Sequence, residues 1–128
     1  MERILKVSQD HVWIGIEDQH VYIGVTNYGQ GELGRVISVE LPEVGDKVEK
    51  GEPFAELESS VTVGELIAPV SGTVIAINHE LESHPSIIND DPYNEGWLIE
   101  VRLKDHSETK SLMDMDEYYH FVFKPDSR

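Results

Sequence analysis

The sequence predicts a mainly β fold, a small sandwich or flattened barrel with one short internal helix and a second helix near the C-terminus. Apolar and polar residues alternate through most of the first hundred positions, which is the period of a half-buried strand. Two similar Gly-bounded halves, 45–58 and 64–77, flank an uncharged stretch in the middle of the chain. Near the end, Leu112, Met115, Tyr118, Tyr119 and Val122 recur at helical spacing.

Each element has a local reason. Val12–Ile16 and Val21–Val25 flank Glu17-Asp18-Gln19-His20, a hairpin with a polar loop. The segment from Thr26 to Gly34 opens on an N-cap residue and closes on glycine, so a short helical turn is expected, weakened by Gly29 and Gly31. Strand character returns over Arg35–Glu40 and stops at Leu41-Pro42. Each of the two central halves has a Gly-bounded turn, a proline suited to a strand edge or bulge (Pro53 or Pro69), and an alternating apolar run. Between them Glu58-Ser59-Ser60-Val61-Thr62-Val63-Gly64-Glu65 forms the tip of a hairpin, placed at 58–65. Residues 79–96 read as loop, Trp97–Leu103 as a strand, and 111–122 as a helix covering one opening of the β core. Asp114, Asp116 and Glu117 sit where the helix dipole favours acids. Trp13 and Trp97 are expected in the core, and residues 1–128 are expected to form one domain.

Composition narrows the function. The chain has 25 acidic and 10 basic residues, a net charge of −15, with the acids spread along its length. Such a surface repels phosphate backbones and anionic lipid, so nucleic-acid and membrane-surface roles are not expected. The charge is accounted for either by solubility or by partners that present basic patches. There are no cysteines, which excludes disulfides, thiolate metal sites and a Cys nucleophile. The N-terminal residues 1–16 match neither a secretion signal nor a transit peptide, and no apolar run is long enough to span a bilayer; a soluble cytoplasmic protein is expected.

No nucleophile triad, P-loop or dinucleotide fingerprint occurs, so the chain is not expected to be an enzyme. His79 and His84 with Glu80 and Glu82 do not form a metal motif, because five-residue spacing and Pro85 keep the two rings off one helical face. Asp90, Asp91 and Glu95 lack EF-hand spacing.

Four stretches then carry a resemblance: "HVW" at 11–13, "GVTNYGQGELG…VELPEVGD" at 24–46, "APVSGTV…N" at 68–78 and "DPYNEGWL" at 91–98, joined by the tail "LMDMDEYYHFV" at 112–122. Together they cover nearly the whole chain, and in order and spacing the sequence resembles the glycine cleavage system H protein family of lipoyl/biotinyl carriers. The resemblance implies a barrel-sandwich hybrid. It also implies a hairpin tip presenting one lysine amide-linked to lipoate, whose dithiolane takes an aminomethyl group from a pyridoxal-phosphate decarboxylase, passes it to a folate-dependent transferase and is reoxidised by a flavin dehydrogenase.

In such proteins the tip reads approximately E-S-V-K-A. Here the matching residues are Glu58-Ser59-Ser60-Val61-Thr62, which places Val61 at the lysine position. Amide formation needs a nucleophilic nitrogen on a long stem, and valine has none. The hydroxyls of Ser59, Ser60 and Thr62 are short and have no adjacent base in sequence. The lysines are Lys6, Lys47, Lys50, Lys104, Lys110 and Lys124, so none lies between 51 and 103. Three further residues depart from the family pattern: Arg35 for an acid, Ser38 for a large aromatic and Asn27 for aspartate.

The sequence therefore leads to the expectation of a non-lipoylated H-like protein, with no cofactor and no metal. It would act by binding, with lipoate-handling or glycine-cleavage-type enzymes as partners and Glu58, Ser59, Ser60, Val61, Thr62 and Arg35 as candidate contacts. The alternative is a working lipoyl and aminomethyl carrier of the glycine cleavage system. Val61 itself has two readings: an apolar docking tip, or a residue that pairs within a tightened hairpin. Self-pairing of Ser59–Val63 between subunits is discouraged by the flanking Glu58 and Glu65.

Overall fold

The computed structural model describes residues 4–123. Nine strands, β1 (Ile4–Val7), β2 (Val12–Glu17), β3 (His20–Val25), β4 (Val36–Glu40), β5 (Lys47–Val48), β6 (Pro53–Ser59), β7 (Val63–Ile67), β8 (Gly72–Ile77) and β9 (Ile99–Leu103), form two antiparallel sheets. The larger runs β1-β2-β3-β9-β8-β5 and the smaller β4-β6-β7. Each central half splits across the two sheets: β5 and β8 pair in the large one, β6 and β7 in the small one. The crossovers between sheets are stitched together by Gly51 N–H to Ala68 O (2.9 Å) and Ala68 N–H to Glu52 O (2.8 Å).

Alternation explains the core. Val12 and Ile14 of β2 face inward with Val21, Ile23, Leu57, Val74, Ile99 and Val101. Trp13 points to the other face and is equally buried, in a second cluster with Val7 and Tyr118. That cluster demands space: Gly24 pairs with Trp13 in register, and a Cβ on Gly24 would lie 2.7 Å from the indole. Trp97, expected in the core, is only half-buried and packs edge-on against Tyr22.

The helix α1 (Asn27–Leu33) has Thr26 as N-cap and Gly34, at φ 95°, as C-cap. The loop expected at 79–96 contains two short helices, α2 (Glu80–Ser83) and α3 (Ile87–Asp90). The C-terminal helix α4 (Met115–Val122) begins later than the expected 111. His106–Ser111 form a 3₁₀ turn, and Met113 is held extended by mutual backbone hydrogen bonds with Val7 (2.7 and 2.9 Å). Helix then starts at the reciprocal capping box of Asp114 and Glu117. The sequence does not predict the short β1; it pairs with β2 at the sheet edge, and its last residue, Val7, also bridges to Met113.

Candidate functional site

The hairpin of β6 and β7 carries its arms in register from Glu56↔Glu65 to Glu58↔Val63. Its tip is closed from within. Ser59 N–H donates to Thr62 O at 2.8 Å, and Ser59 Oγ accepts from the N–H groups of Val61 (3.2 Å) and Thr62 (3.1 Å) while donating to Thr62 O (3.3 Å). The serine hydroxyl thus occupies the place of a backbone acceptor in the turn. Ser59 is 5% exposed, its hydroxyl fully engaged, and so not a nucleophile. Ser60 and Thr62 are exposed and their hydroxyls make no hydrogen bond among the described residues.

Val61 crowns this turn and is 78% exposed. Beside it Val63 is 55% and Ile37 54% exposed, so the tip and the adjoining strands present an apolar edge. A β-bulge between Val36 and Ser38 lets Ile37 and Ser38 both face solvent. Ser38 Oγ donates to Glu58 Oε1 at 3.2 Å, tying β4 to the hairpin arm. Below that pair, Glu40, Glu56 and Glu65 stand in one exposed row across the three strands. Arg35 is exposed at the entry to β4 and forms no ion pair among the described residues.

Helix α1 buttresses the tip. Val61 Cγ2 and Ser59 Oγ lie 3.5 and 3.7 Å from where a Cβ on Gly34 would stand, and Leu33 Cδ1 lies 3.1 Å from the corresponding point on Gly64. The junction is fixed by Asn89, whose amide donates to Gln30 Oε1 (2.7 Å) and Gly34 O (2.9 Å) and whose oxygen accepts from Val36 N–H (2.9 Å). Asn89, which lies in α3, is not predicted from sequence, because no local signal marks an asparagine 53 residues away from Val36 as a clamp.

The amines lie elsewhere. Lys50 sits in the crossover before β6, where its Nζ donates to Ser111 Oγ at 2.9 Å. The seven residues of β6 separate it from the tip, roughly 23 Å at about 3.3 Å per residue. Lys47 and Lys104 are on the large sheet's outer face, and Lys124 lies outside the described residues. His79 and His84 each face a carboxylate of the same short segment at 3.8 Å, Glu82 and Glu80 respectively.

At the other end of α1, His11 adopts φ 68° and its Nδ1 lies 2.8 Å from Tyr118 Oη, which lies 2.8 Å from Thr26 Oγ1. Burial lowers the His11 pKa, opposed by Asp10 and Glu32, and burial raises that of Tyr118, opposed by its bond to Thr26. This chain of contacts fastens α4 to the N-cap of α1.

Comparison with known proteins places these features. The sequence profile of the family described as "Glycine cleavage H-protein" matches residues 5–124. The chain is 48% identical over 118 residues to a glycine cleavage system H protein of Halalkalibacterium halodurans, covering 92% of each, and 46% identical over 118 residues to one of Staphylococcus carnosus, covering 92% of this chain and 94% of the other. The crystal structure of a glycine cleavage system H protein from Mycobacterium marinum superposes with a TM-score of 0.86 at 34% identity, over 95% of this chain and 98% of that one. These matches overturn the expectation that no cofactor is involved, because glycine cleavage H proteins carry lipoate. The expectation had leaned on a single position, whereas the likeness extends over nearly every element. H proteins are carriers, not catalysts, and interact with the glycine cleavage enzymes. Locally, the described tip does not fit a covalent attachment point: Val61, Ser60 and Thr62 offer no amine, and the Ser59 hydroxyl is spent on the turn.

Proposed function

Because the chain belongs to the glycine cleavage H-protein family, we propose that it engages the enzymes of that lipoate-dependent system through its hairpin tip, which acts as a docking element and not as the tether of a swinging arm. The observation that carries this reading is Val61, an aliphatic residue standing exposed on an internally hydrogen-bonded turn. In this reading it holds the position where family members bear the lipoyl lysine. Val61, Val63 and Ile37 supply apolar contact, Glu58 and Arg35 supply charges of opposite sign at its rim, and Ser59 holds the turn in shape. Burying Val61 against a partner would recover about 1.5–3 kcal/mol of transfer free energy that exposure forgoes. Ser60 and Thr62 supply free hydroxyls.

The second reading is a working lipoyl and aminomethyl carrier; it is favoured by 48% identity to a named H protein. Intact-mass measurement after co-expression with a lipoate ligase and free lipoate separates the two. An unmodified chain that still binds the family's decarboxylase in sedimentation, with Val61→Asp abolishing the complex, supports docking. A stoichiometric lipoyl adduct on the native chain establishes the carrier and ends the docking reading.

A further inference from the structure

Away from the hairpin, the large sheet's outer face carries a basic strip. Strand register sets Lys47 of β5 beside Thr73 of β8, and Thr73 beside Arg102 of β9. Their neighbours Val48, Val74, Val101 and Leu103 are buried in the core, so alternation turns Lys47, Thr73 and Arg102 outward. With strands about 4.8 Å apart, the two cationic residues stand roughly 10 Å apart across Thr73. Lys104 follows along the same wall, and together these side chains line a cleft of about 240 Å³ in which Glu49 is the carboxylate.

Lys47 and Arg102 are unspent, while Lys104 acts on the neighbouring Asp105 only through its charge. In a chain with 25 acidic residues, none of Lys47, Arg102 and Lys104 forms an ion pair among the described residues. The nearby acids are otherwise engaged: Glu100 is 2.7 Å from His20, and Asp105 accepts from Ser107. A local excess of positive charge thus lines a slot to which Thr73 contributes a hydroxyl-bearing side chain.

We propose that this cleft binds a phosphate monoester. A tetrahedral dianion above Thr73 takes two oxygens to the guanidinium fork of Arg102, a third to the ammonium of Lys47, and a hydrogen bond from the Thr73 hydroxyl, with Lys104 adding long-range attraction. A planar, singly charged carboxylate would satisfy the fork and leave Lys47 unmatched. The ester is carried either by a small metabolite or by a phosphorylated side chain of a partner protein. This site is independent of the hairpin tip.

The test is a backbone amide NMR titration of the full chain with inorganic phosphate at constant ionic strength, followed by glycerol phosphate and a phosphoserine peptide to distinguish the two sources. Saturable shifts confined to Lys47, Thr73, Arg102 and Lys104 are expected. Lys47→Ala should weaken binding about tenfold, the loss of one charge-assisted contact, and Arg102→Ala, which removes the two contacts of the fork, by more than that; Glu49→Gln should tighten it. Both alanine variants are at exposed positions, and an unchanged spectrum elsewhere verifies their fold. Non-saturating shifts, shifts reproduced by chloride, equal binding of acetate, or indifference to both variants would each overturn the assignment.

Discussion

Tyr118 Oη lies 2.8 Å from His11 Nδ1 and 2.8 Å from Thr26 Oγ1, so one phenol joins the C-terminal helix, the turn before β2 and the N-cap of α1. Tyr118 is buried, and Thr26 Oγ1 also accepts from Gly29 N–H at 3.0 Å. Removing the phenol oxygen leaves two partners without it. Tyr118→Phe should cost about 1–3 kcal/mol, read as a lower midpoint in denaturant, with faster amide exchange along α4.

The burial of His11 at this junction makes stability depend on pH. Burial holds the folded His11 pKa below its ordinary 6.5, so on acidification the unfolded chain takes up the proton first. The stabilisation is therefore present above pH 6.5 and is lost as pH falls from there through the lower folded value. The difference in unfolding free energy between wild type and His11→Asn should shrink across that window. Asparagine tolerates the φ of 68° at this site and removes the titrating group; a pH-independent difference would refute the assignment.

Gly34 caps α1 where the helix meets the tip. Its φ of 95° strains any L side chain, and an added methyl would stand 3.5 Å from Val61 Cγ2. Gly34→Ala should destabilise the fold by about 1 kcal/mol, measured by thermal unfolding. If the tip docks partners, the same variant should weaken the complex more than Gly45→Ala, whose φ is also positive but whose surroundings are open.

Val61→Lys places an amine on the exposed turn without disturbing Ser59, whose bonds to Val61 use the backbone N–H. The variant should accept one lipoyl group from a lipoate ligase in vitro, seen by intact mass. An unmodified variant would show that the flanking residues, among them Ser60 and Arg35, no longer suit the ligase.

Gly24→Ala tests the packing of the second cluster. A Cβ there meets the Trp13 indole at 2.7 Å between two paired strands, and the indole, bonded to Pro92 O at 2.9 Å, has nowhere to move. A loss of about 1–3 kcal/mol is expected, with an altered tryptophan fluorescence spectrum.

The sequence by itself determined whatever depends on local chemistry or period. Alternation located the hairpins, Thr26 and Gly34 bounded α1, and the residue type at 61 decided that the tip holds no amine. Tertiary structure decided what depends on pairing between distant segments. Met113 is extended, not helical, because Val7 offers it a backbone partner across the sheet edge. Ser59 appears in sequence as one of three equivalent hydroxyls, but the closing of the turn consumes it. Asn89 clamps α1 to β4, and Lys47, Thr73 and Arg102 meet in one row. Periodicity fixes which face a residue takes within its own strand; the register between strands, which sets its neighbours, is settled only when the whole core packs.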